Sequence, residues 1–275
     1  MPEIFQLGFM VRAFIAGGII GVVCPLLGTF LVLRRLSLIA ETLAHVALTG
    51  AAVGLLLDRF PTLIALVVAS VAAIVVERLQ RSNRLSGDSA LAVVLYSALA
   101  ITVVLVSLGR GFSVDLFSYL FGSIVTVGAA DLWATAVLGV AVLLTVWLLF
   151  SELVQSTFDP DLARTSGVDI GRVNTVLAVL TGVVVTLSMR LVGALLVGAL
   201  IVFPVLASLQ VSRSFRATLA LSAAIGLVSV FAGLTVSYYW DIAAGGAIVL
   251  VALLSLVGTT LLRTLPRRRT PAPSA

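Results

Sequence analysis

The chain is 275 residues long, 61% hydrophobic and 11% charged, with a formal net charge of +5 and a mean hydropathy of +1.23. A soluble domain of this size has no means of hiding that much apolar surface, so the composition excludes a water-soluble globule and indicates a membrane protein. All 17 Lys/Arg-class residues are arginine; without lysine the chain cannot build a GxxxxGK[ST] phosphate loop, which excludes ATP hydrolysis by that route.

Nine apolar segments follow one another at 7–33, 37–57, 60–79, 88–108, 129–150, 172–189, 191–211, 217–238 and 243–263. Most have the length of about 20 residues that spans a bilayer as a helix. The break at Met189 and Arg190 is the weakest, so eight or nine transmembrane helices are expected. The alternating ten-residue pattern of an outer-membrane barrel is absent. The fold class is therefore all-α and polytopic, with one transmembrane domain over 1–265 and an Arg- and Pro-rich tail over 266–275 expected to be disordered. Met1-Pro2-Glu3 lacks the basic start of a signal peptide and the first apolar run is too long for one, so no cleaved leader is expected.

The first segment holds the single cysteine, Cys24, which excludes an intrachain disulfide or a thiolate cluster and reads as a small buried residue. Pro25 and Pro204 fall inside segments, where each frees a backbone carbonyl and bends its helix. Gly17, Gly18 and Gly21, and Gly193 and Gly198, read as surfaces for close helix approach.

The second segment carries the main chemical signal. The only histidine, His45, lies four residues after Glu41, in a stretch from 36 to 57 with no other ionisable residue. Positions i and i+4 share a helix face, so carboxylate and imidazole project the same way. Counted from Arg35 at 1.5 Å per residue, Glu41 lies about 9 Å and His45 about 15 Å into the membrane. Ionisable groups at that depth are costly and indicate function. The pair can hold a transition-metal ion, relay a proton, or form a structural hydrogen bond between helices. Imidazole with carboxylate suits zinc, manganese or ferrous iron, and the lack of thiolates argues against copper(I). Ligation requires neutral imidazole and ionised carboxylate, so acid should weaken it.

Two stretches between segments stand out. Residues 109–128 include Asp115, Tyr119 and Gly122; the stretch is too apolar for a solvated loop and too short to span, as for a re-entrant or interfacial helix. Residues 158–167 carry helix signals: Asp159 as cap, Pro160 in the first turn, Asp161 complementing the dipole, and Gly167 as terminator. About two turns are expected there, with Phe158 and Leu162 sharing a face.

Several of these blocks together are similar to one family. Residues 31–50 (LVLRRLSLIAETLAHVALTG), 112–124 (FSVDLFSYLFGSI), 158–164 (FDPDLAR), 190–204 (RLVGALLVGALIVFP) and 237–239 (SYY) closely resemble the permease subunits of bacterial zinc, manganese and iron ABC importers, in the family's order and over about residues 10–260. The resemblance implies a type II importer-like bundle in the bacterial plasma membrane and a second copy of the chain around a central pathway. It also implies a cytoplasmic ATPase subunit, an extracytoplasmic metal-binding protein, and no enzymatic activity in the chain itself. It makes Glu41 and His45 the site of a transported divalent metal ion, with no permanently bound cofactor. Phe158, Asp159, Pro160, Asp161, Leu162 and Arg164 become the ATPase-coupling helix. The family's acid is commonly aspartate; the glutamate here extends the carboxylate's reach by one methylene.

A proton-coupled carrier is a second reading of the Glu–His pair, although such carriers keep more intramembrane charges. A permease for siderophores or cobalamin would need a wider path without a central Glu–His pair. A membrane enzyme is disfavoured, since one histidine is too few for most zinc hydrolase sites. The net charge calls for no nucleic acid, because topology accounts for the arginines. With nine spans, Arg12, Arg59, Arg110 and Arg190 fall on one side and the other thirteen arginines on the opposite side, which predicts an outside N-terminus and a cytoplasmic C-terminus. A cysteine placed after Pro266 should therefore react with an impermeant reagent only in inverted vesicles; labelling in intact cells would refute this topology.

Overall fold

The structure is a computed structural model that describes residues 7–81, 87–109, 113–123 and 128–264. The proposed tail over 266–275 lies outside the described residues, as do parts of the 109–128 stretch. The described residues form twelve helices and no strand: α1 (Gly8–Leu33), α2 (Leu38–Leu56), α3 (Pro61–Arg81), α4 (Gly87–Leu108), α5 (Ser113–Phe121), α6 (Ala129–Leu148), α7 (Phe150–Phe158), α8 (Pro160–Thr165), α9 (Ile170–Ser188), α10 (Val197–Val211), α11 (Phe215–Trp240) and α12 (Ala244–Thr264). Eight of these are long and apolar enough to cross a membrane, and α10 is a shorter apolar helix of 15 residues. At 1.5 Å per residue α10 covers about 22 Å, less than the hydrocarbon core of about 30 Å. The break after Met189 is real. Residues 189–196 leave the helical path, and the helix restarts only at Val197.

Burial ranks the helices. In the most apolar window of α2, 78% of residues are buried, against 17% for α4, so α2 is central and α4 peripheral. Small residues make the tight crossings. A Cβ on Gly28 of α1 would stand 2.1 Å from the Ile201 carbonyl of α10. The carbonyl of Gly21, left without its helical donor because residue 25 is proline, faces Gly226 of α11. Cys24 is fully buried and its Sγ lies 3.2 Å from Ser188 Oγ of α9.

Helix ends follow their local chemistry. Gly167 takes φ +86°, and the amides of Gly167 and Val168 donate to Arg164 and Ala163 at 3.1 and 3.0 Å, a Schellman closure of α8. α1 ends the same way without glycine: Arg35 adopts φ 59°, while the amides of Arg35 and Leu36 donate to Val32 and Leu31 at 3.0 and 2.8 Å. A left-handed conformation costs a side-chain-bearing residue about 1–2 kcal/mol, so surrounding contacts must hold this turn.

The crossing of α1 and α10 gives a direct test. Gly28→Ala should destabilise the protein by about 1–3 kcal/mol through overpacking. Gly258→Ala on α12, where a Cβ meets nothing within 4 Å, should be neutral. Thermal unfolding of the two purified variants in detergent compares them.

Candidate metal and coupling sites

Glu41 and His45 lie in the first half of α2 and meet as the i, i+4 spacing requires, with His45 Nε2 3.6 Å from Glu41 Oε1. That separation is too long for a hydrogen bond. It suits two ligands of one ion: donors about 2.1 Å from a zinc-like centre at a tetrahedral angle stand roughly 3.4 Å apart. His45 is buried, and its Nδ1 is enclosed without a hydrogen-bond partner. The Glu41 side chain is 40% exposed, so the pair opens on its carboxylate side. Among the described residues no group of three or more His, Cys, Asp or Glu side chains converges.

Glu41 also touches α10. A Cβ on Gly198 would stand 2.8 Å from Glu41 Oε2. Gly198 is the second residue of α10, and the positive end of that helix favours an ionised carboxylate. The sequence indicated only a packing role for this glycine.

The second predicted site is α8. Asp159 caps it, accepting the Leu162 amide at 2.9 Å, and Pro160 opens its first turn. Asp159, Pro160, Asp161, Leu162 and Arg164 are all exposed, and only Ala163 is buried against the bundle. The helix is six residues long, shorter than expected. Phe158 is not on it: Phe158 ends α7, and Asp159 at φ −144° and ψ 89° breaks the helical path between them. The shared face expected for Phe158 and Leu162 therefore does not exist, because the N-cap requires non-helical backbone. Both side chains are nonetheless exposed, at 61% and 62%. Phe158 packs edge-on against Phe215 at 5.4 Å, and Phe215 also meets Phe30 at 5.6 Å and Phe150 at 6.1 Å. The Asp161–Arg164 pair, at 3.4 Å and largely exposed, adds little stability.

Two polar groups escaped the sequence reading. Arg190 bonds Asp131 at the start of α6, and its Nε and Nη2 donate to the Tyr119 hydroxyl of α5 at 3.3 and 3.0 Å. Two opposite charges at the same end of the bundle were the available signal. Buried Glu77 on α3 pairs with Arg81 at 3.1 Å and accepts the Thr175 hydroxyl at 3.1 Å. Its charge is compensated, so it is a poor cation ligand.

The profile of the ABC 3 transport family matches residues 6–263. The manganese transport system membrane protein MntC of Halalkalibacterium halodurans is 29% identical over 250 residues, 91% of this chain and 86% of that protein. The high-affinity zinc uptake system membrane protein ZnuB of Haemophilus influenzae is 30% identical, over 86% of this chain and 91% of its own length. Among solved structures, PsaBC from Streptococcus pneumoniae superposes with a TM-score of 0.84 at 28% identity, covering 94% of this chain and 92% of that one. The family match takes in every helix from α1 to α11 and all but the last residue of α12, both candidate sites included, and the chain belongs to the ABC 3 transport family.

Proposed function

We propose that the chain is the membrane-spanning permease subunit of an ATP-driven importer of a divalent transition metal. Two copies flank one pathway in the bacterial plasma membrane, a separate cytoplasmic ATPase supplies the energy, and an extracytoplasmic metal-binding protein delivers the ion. The N-terminus is outside and the C-terminus cytoplasmic. The observation that carries this reading is the Glu41–His45 pair, two ligand atoms 3.6 Å apart on the most enclosed helix. The names of the manganese and zinc relatives support the choice of cargo, with ferrous iron suited by the same donors. Two ligands per chain make at most four from a pair of copies, an incomplete shell for an octahedral ion and a weak hold suited to release.

His45→Ala and Glu41→Ala should each abolish uptake of manganese and zinc while leaving membrane insertion and assembly with the ATPase intact. Glu41→Asp should keep transport and alter selectivity, because only reach changes. Radiometal uptake by cells producing each variant measures this. His45→Ala importing at the wild-type rate, at equal protein level, would remove the metal-site reading.

Leu162 offers an exposed apolar side chain on α8, where the ATPase docks in this reading. Leu162→Asp should therefore lower transport without unfolding the membrane domain, either by weakening ATPase assembly or by letting ATP turnover proceed unproductively. Co-purification of the ATPase and the ATP hydrolysed per ion transported separate the two; normal values for both would place the coupling surface elsewhere.

A further inference from the structure

We infer that Arg34 is the positioning residue that carries movement of α7 and α8 into the helix bearing Glu41 and His45. This rests on reading α8 as the ATPase-docking element. Arg34 caps the C-terminal end of α1, and its guanidinium crosses to two other helices. On α7, Nε donates to Thr157 Oγ1 at 2.9 Å, and Nη2 donates to Ser156 Oγ at 2.5 Å and to the Leu153 carbonyl at 3.2 Å. On α9, Nη1 donates to Asn174 Oδ1 at 2.7 Å. All four acceptors are neutral. Partial burial, with no carboxylate partner among the described residues, pulls the guanidinium pKa down to about 10, a cost that ordinary helix capping does not require. Its neighbour Arg35 is exposed, so the bonding is particular to position 34 and is not a general property of arginines at this end.

The connection is short at both ends. Thr157 lies two residues before Asp159, the cap of α8, so displacement of α8 reaches the guanidinium through one residue of chain. On the other side, Arg35, Leu36 and Ser37 alone separate Arg34 from α2, and the Schellman closure at Arg35 leaves this turn little slack. Glu41 lies in the first turn of α2. The planar fork of arginine fixes direction as well as distance. The Phe215 cluster also bridges α1 and α7, but aromatic contacts accept a range of offsets and transmit direction poorly.

The test uses the assembled transporter, with its ATPase and metal-binding protein, in lipid vesicles, and reads ATP hydrolysed per manganese or zinc ion taken up. Arg34→Gln should assemble and hydrolyse ATP yet raise that ratio about tenfold, within the range typical of coupling between sites. Thr157→Val keeps the cation and the shape of α7 while removing one acceptor, and should raise the ratio by a smaller factor. A merely structural Arg34 would lower protein yield and leave the ratio unchanged in both variants, which overturns the inference. Leu162→Asp, run alongside, distinguishes the failures. If it uncouples or loses the ATPase while Arg34→Gln does not raise the ratio, only the role of Arg34 falls; if it leaves both ATPase co-purification and the ratio normal, the docking role of α8 falls and this inference with it.

Discussion

Residues 189–196 put non-helical backbone in the buried interior of a membrane bundle, where an unpaired peptide group costs several kcal/mol. Local turns pair the amides of residues 191–193 and 196, and α5 with the residues just after it supplies the rest: the Ala194 and Leu195 amides donate to the Tyr119 and Leu120 carbonyls at 2.8 and 3.3 Å, and the Ser123 amide donates to the Arg190 carbonyl at 3.0 Å. The approach is so close that a Cβ on Gly193 would stand 2.4 Å from the Leu120 carbonyl, and Gly193 and Gly122 both take positive φ. Because this segment is satisfied outside a helix, α10 begins within the bundle instead of at its edge. That starting level brings Gly198 against Glu41. The same segment holds Arg190 where it reaches Asp131 and Tyr119.

Sheltering and access are divided within α2. His45 is enclosed, and its neighbour one turn further along, Thr49, is tied to α4 through the Ala98 carbonyl at 3.0 Å and the Thr102 hydroxyl at 2.8 Å. Glu41 stays partly open. In the metal-site reading proposed above, the enclosed imidazole would set the geometry of the ion and the more open carboxylate would adjust to take and release it.

Features carried by local pattern were legible in the sequence. Apolar runs located the eight helices long enough to cross a membrane and the shorter α10, the i, i+4 spacing gave the Glu41–His45 contact, and Asp159, Pro160 and Gly167 marked the two ends of α8. What depended on distant residues was not legible. Arg34 meets Ser156 and Thr157 across more than 120 positions, and Phe215 gathers Phe30, Phe150 and Phe158 from two other helices. The one local error, a common face for Phe158 and Leu162, arose from extending helical periodicity through a cap. Gly198 was read as packing because a glycine does not announce which neighbour needs the space.

That space ties the residues at positions 41 and 198 to each other. Glu41 Oε2 occupies the position a side chain at 198 would need, so the longer acid and the absent side chain form one unit. Aspartate at 41 would withdraw its oxygens by one methylene and free room for a small residue opposite. Any larger residue at 198, introduced while glutamate remains, would push the carboxylate out of line with the imidazole before it disturbed the packing of α10. Positions 41 and 198 are therefore sterically coupled in this chain, and the length of the acid is matched by the gap left opposite it.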